Sequence, residues 1–120
     1  MADEAASRAY RENVEDALLR DDPIELMEVI TEVALEAEPW EWAQACCAQL
    51  ARHRNAMVRG NAVYGFGQLA RRFGRLDPHL VKRLVDRALY DRSEYVRERA
   101  ASAADDLATF LAWEFERSGS

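Results

Sequence analysis

The sequence predicts an all-α protein, a short right-handed α-solenoid of about six helices arranged as three stacked helical hairpins. Three observations lead there. A pattern beginning Val58-Arg59 and ending Leu69-Ala70 returns 38 residues later, from Val96-Arg97 to Leu107-Ala108. An internal repeat of that period is the mark of a helical unit stacked on its neighbour. Only three prolines and five glycines interrupt the 120 residues, so long stretches can remain helical. No segment alternates with the period of two that a half-buried strand requires.

Each helix has its own start and stop signals. The first is predicted from about Asp3 to Arg20, with Tyr10, Val14, Ala17 and Leu18 on one face. Asp22-Pro23 restarts the chain, with Asp as N-cap and Pro at the first helical position. The second helix then runs to about Ala37 with Leu26, Ile30 and Val33 as its apolar stripe. Glu38-Pro39 opens the third, which turns Trp40, Ala43, Cys47 and Leu50 inward. Asn55 caps the fourth and Gly74 stops it in a left-handed conformation. Asp77-Pro78 opens the fifth, with Leu80, Leu84, Ala88 and Leu89 inward, and Ser93 caps a sixth running from Glu94 to Phe115. The links 52–55 and 90–93 are short enough to make antiparallel hairpins. Residues 1–117 thus form one domain: a divergent capping hairpin over 1–38, one repeat over 39–75 and another over 77–115. Residues 118–120 read as a disordered tail.

These residues resemble the HEAT-repeat (armadillo-like) family, in which an outer helix and a tight turn bearing an Asp precede a Val-Arg inner helix rich in small residues. The stretch from Ala88 through Asp91 and Val96-Arg97 to Ala101 follows that pattern closely. The resemblance implies a hydrogen-bonded ladder between repeats, carried by Asp91 and Arg97. The earlier copy keeps Arg59 but has His53 where the Asp belongs. Ala62, Ala70, Ala100, Ala101, Ala103 and Ala104 suit close helix approach. Gly60, Gly65 and Gly67 each cost the fourth helix about 1 kcal/mol against Ala. Either tight packing against the sixth helix or a partner's backbone approaching there would compensate.

Composition limits the function. His53 and His79 are the only histidines, no Ser or Cys has a local base, and no Gly-rich phosphate loop follows a strand. No catalytic residue, metal site or cofactor is assigned, and the chain is not read as an enzyme. Cys46 and Cys47 are adjacent, about 100° apart on a helix, and read as reduced core thiols of a cytoplasmic protein. No signal peptide and no membrane-spanning run is seen.

Charge supplies the functional signal. Residues 1–38 carry 12 acids against 3 arginines, while residues 39–92 carry 4 acids against 10 bases, within a net charge of −6. Glu25, Glu28, Glu32 and Glu36 share one sector of the second helix, as a solvated face or as a docking surface for a basic protein. A second candidate surface joins Met57, Asn61, Tyr64 and Gln68 to a line of Tyr95, Arg99, Ser102 and Asp106, ending near Trp113. The HEAT resemblance implies that such inner helices face partners. Arg52, Arg54, Arg71, Arg72, Arg75, Arg83, Arg87 and Arg92 form a basic middle, although the acidic remainder disfavours nucleic acid.

The leading expectation is a non-catalytic protein-binding module resembling the immunity proteins of interbacterial toxin systems, which cover a cognate and often basic toxin domain. The alternatives are a HEAT-like nucleic-acid binder using Arg83 and Arg87, and a scaffold or homodimer with Trp40, Trp42 or Trp113 at its seam.

Overall fold

In a computed structural model, the described residues 2–115 (side chains from residue 7) form six helices and no strand. They are α1 (Ala2–Arg20), α2 (Pro23–Glu36), α3 (Trp40–Leu50), α4 (Ala56–Phe73), α5 (Pro78–Ala88) and α6 (Glu94–Leu111). Local chemistry sets most of the boundaries. The Asn55 side chain accepts the N–H groups of Met57 and Val58, satisfying two donors that a helix start leaves orphaned. Asp77 does the same for His79, and Ser93 for Val96. Asp22 occupies the cap position of α2, yet its side chain makes no capping hydrogen bond. Gly74 ends α4 at φ 68°, where its N–H reaches the Ala70 carbonyl.

α4 is the centre of the molecule. It packs most extensively on α6, then on α2 and α3. α1 lies against α2, α5 against α6, and α3 also touches α5. The helices enclose one core whose largest fully buried side chains include Phe66, Leu26, Leu69 and Leu107. The body measures 51 × 29 × 19 Å.

The α4 glycines are packing positions. A Cβ on Gly60 would stand 2.8 Å from the Tyr95 ring, and one on Gly67 would stand 2.6 Å from an Asp106 oxygen, both on α6. Gly65 faces the other way: its Cβ would meet Cys47 Sγ at 3.2 Å and Ala34 Cβ at 3.5 Å. Residues seven apart share one side of a helix and residues five apart do not, so Gly60 and Gly67 face α6 while Gly65 admits α3 and α2.

The last helix stops four residues short of the expected Phe115. Ala112 takes a left-handed conformation at φ 58°, its N–H bonded to the Ala108 carbonyl, and the Trp113 N–H turns back to Leu107. The reason is apolar: Trp113 and Phe115 pack against the core, with Lys82 5.7 Å from the Phe115 ring centroid. A continuing helix would turn Trp113 about 120° away from the buried Leu107. The tail 118–120 lies outside the described residues.

Candidate functional site

Charged side chains tie the α1–α2, α3–α4 and α5–α6 turns to one another. Arg59, on the first turn of α4, donates two hydrogen bonds to Asp91 at 2.8 and 2.9 Å, and two more to the carbonyls of His53 and Arg54. Arg97 donates to the Asp91 carbonyl, and Asp91 also accepts the Ser93 N–H. The guanidinium of Arg59 holds the Asp91 carboxyl below the usual carboxylate range. Where Asp was expected, His53 reaches back to the preceding turn: its Nε2 is 2.6 Å from Asp21 Oδ1, and Arg54 is 2.5 Å from Asp21 Oδ2. His53 Nδ1 accepts the Asn55 N–H. That leaves Nε2–H to donate the hydrogen bond to Asp21. Both donors lower the Asp21 carboxyl. Sequence reasoning counts Asp21, with Glu15, Asp16 and Asp22, among the acids of the first hairpin but misses this pairing; its φ of 55° turns the chain before Pro23 and points its carboxylate across 32 residues of sequence.

Beside this ladder, Arg52, Arg54, Arg59, Arg87 and Arg92 line a groove of about 880 Å³ between the α3–α4 and α5–α6 turns, with Asp86 and Asp91 as its carboxylates. The remaining basic residues of the middle are placed differently. Arg72 donates to the carbonyls of Val33, Ala34 and Ala37 at the end of α2 and lies 4.5 Å from the Phe73 ring centroid. Arg75 sits 4.9 Å over Trp40, and Arg71 5.9 Å from Phe110. Arg83 is exposed on α5.

The acidic row of α2 divides. Glu25 is half-buried and bonded to Arg20 through both carboxylate oxygens, at 3.0 and 2.9 Å, which lowers its carboxyl. It fastens the α1–α2 corner and does not stand free. Glu28, Glu32 and Glu36 are exposed. Two apolar residues the sequence reading had passed over share this outer side of α2, Ile24 at 73% exposure and Leu35 at 51%. Glu32 and Glu36 lie close enough to Tyr10 to act on its hydroxyl, which burial first and these charges second push up to about 12. That hydroxyl has no hydrogen-bond partner among the described residues.

The second candidate surface is partly consumed by packing. The Tyr95 hydroxyl donates to Asn61 Oδ1 and accepts from Arg99 Nε. Arg99 also lies 4.6 Å from the Tyr64 ring centroid. Asn61, Tyr64, Tyr95 and Arg99 are therefore one half-buried cluster riveting α4 to α6. Asp106 covers Gly67, Gln68 is half-buried, and Ser102 and Met57 remain exposed. Trp113 does not continue this line, because it lies beyond the end of α6 beside Gly74, Arg75 and Leu76.

Trp40 and Trp42, considered for a dimer seam, are half-buried against the core; Trp42 meets Tyr10 edge-on at 6.1 Å. Cys46 and Cys47 are free, buried thiols, and burial raises both, Cys46 to about 11. Among the described residues no three His, Cys, Asp or Glu side chains gather as a metal site, and no helix is long and apolar enough to cross a membrane. Comparison with known protein families, curated proteins and solved structures gives no match.

Proposed function

We propose that this chain is a non-catalytic protein-binding module, a short HEAT-like solenoid that holds one basic protein partner across the outer side of α2. The observation that carries the reading is the mixed surface formed by Glu28, Glu32 and Glu36 with the exposed Ile24 and Leu35. Exposed aliphatic side chains interspersed with like charges suit a partner with complementary charge and an apolar contact. Like charges spaced three and four apart also cost the helix a few tenths of a kcal/mol per pair, a cost that a basic partner would reverse.

Immunity proteins that block a cognate toxin do work of this kind, with fast, electrostatically steered association. The resemblance of the repeat residues to HEAT proteins supports the architecture, and the acidic first hairpin supports the role. A pull-down from the native host, repeated with Glu28→Lys, Glu32→Lys and Glu36→Lys combined, tests it. Recovery of a basic protein by the wild type, lost in the triple variant, is the expected result. Equal recovery by both, or no basic protein at all, would reject it. A toxin gene adjacent to this one would add the identity of the partner.

A further inference from the structure

We propose that the arginine groove between the α3–α4 and α5–α6 turns is a separate binding site for a short acidic polypeptide segment. It goes beyond the docking surface on α2 and does not depend on it. Of the five arginines lining the groove, Arg59 is committed to Asp91 and Arg54 to Asp21. Arg52, Arg87 and Arg92 remain, exposed and without a hydrogen bond or ion pair to a carboxylate among the described residues, although the charge of Arg92 also acts on Asp91. They stand on opposite walls of a recess of about 880 Å³. A guanidinium presents a planar fork of donors that matches a carboxylate through two parallel hydrogen bonds. The floor is apolar, formed by Ala51, Leu84 and Ala88, so an aliphatic residue between two acids has somewhere to go. Tyr90, 61% exposed, forms the rim.

The same chemistry could attract a phosphate backbone, but the charge forms no track. Arg71, Arg72 and Arg75 lie at the far end of α4, whose 18 residues span about 27 Å. There they are engaged with Phe110, with the α2 carbonyls and with Trp40. Asp86, in the groove wall, and the acidic first hairpin repel a continuous polyanion. A segment a few residues long, with carboxylates separated by an aliphatic side chain, fits both the extent and the composition of the recess.

The test is fluorescence anisotropy of the full chain with a dye-labelled octapeptide of alternating Glu and Leu. Its controls are the same peptide with Gln for Glu and a labelled single-stranded oligonucleotide. The acidic peptide should bind and weaken as salt rises, and the Gln peptide should bind at least about tenfold more weakly. Arg87→Ser with Arg92→Ser should weaken the acidic peptide by a similar factor, whereas Arg71→Ser, at the far end of α4, and the α2 triple variant should not. Absence of peptide binding, insensitivity to the groove arginines, or an equal loss in Arg71→Ser would overturn the proposal. Tighter binding of the oligonucleotide through Arg87 and Arg92 would overturn it in favour of a nucleic-acid site.

Discussion

The α4–α6 seam and the α1–α2 hairpin are both pairs of amphipathic helices, yet they are held in different ways. Along α4–α6, two glycines bring the backbones close, alanines fill the interval, and a tyrosine, an asparagine and an arginine close the outer edge. Along α1–α2 the contact is thin: Val14, Ala17 and Leu26 are buried, while Leu19 and Ile24 are 84% and 73% exposed. Charge ties that hairpin down at its corner, through Arg20 with Glu25 and Asp21 with His53 and Arg54. Helices that approach closely gain dispersion contacts over their whole length, whereas exposed ion pairs contribute little and are screened. The stability of the molecule should therefore reside in the seam and in the packing of α2 on α4, leaving α1 and the outer side of α2 available for interaction.

The largest test of this contrast is Leu107→Ala, which leaves a cavity where α6 meets the core and should cost about 2–5 kcal/mol in a denaturant titration. Leu19→Ser should change stability by less than about 0.5 kcal/mol. If the two proved alike, the contrast would be wrong. Next is Arg59→Ala. Arg59 and Asp91 are 13% and 16% exposed, and stranding Asp91 should cost about 2–3 kcal/mol. This effect depends on pH. A carboxyl depressed in the folded state contributes stability above its unfolded pKa of about 4 and loses it as pH falls through the lower folded value. The wild type should therefore approach the variant on acidification below about pH 4, checked by thermal melts across that range.

A smaller effect separates the glycines. Gly60→Ala gains about 1 kcal/mol of helix propensity but drives a Cβ into the Tyr95 ring. It should be net destabilising by about 1–2 kcal/mol. Gly65→Ala meets Cys47 and Ala34 at easier distances and should fall within about 1 kcal/mol of neutral. The smallest expected signal is chemical. Cys46 and Cys47, buried and raised by desolvation, should resist iodoacetamide at mild alkaline pH and react only on unfolding. Rapid labelling of the native protein would place α3 outside the stable part.

Much of this was readable in the residues themselves. Asn55, Asp77, Ser93 and Gly74 mark helix ends through hydrogen bonds spanning two to four residues, and the apolar spacing of Leu26, Ile30 and Val33 identifies a buried stripe. The candidate surfaces were harder. Tyr95 and Arg99 look outward when α6 is drawn alone, but α4 lies against that side and absorbs them. Glu25 reads as one of four equivalent acids, and only the fold of the corner brings Arg20 onto it. Trp113 could not be placed until the core was assembled, because its burial depends on residues of other helices.

By itself, then, local chemistry determined that the chain is helical, where α2, α4, α5 and α6 start and α4 stops, and that acid gathers at one end of the sequence and arginine in its middle. Tertiary structure alone decided which charges are spent internally, which arginines are left around the groove, and where α6 terminates. The reason is range. Caps and helical periodicity act within about four residues, whereas Arg59 with Asp91 and His53 with Asp21 each join groups 32 residues apart.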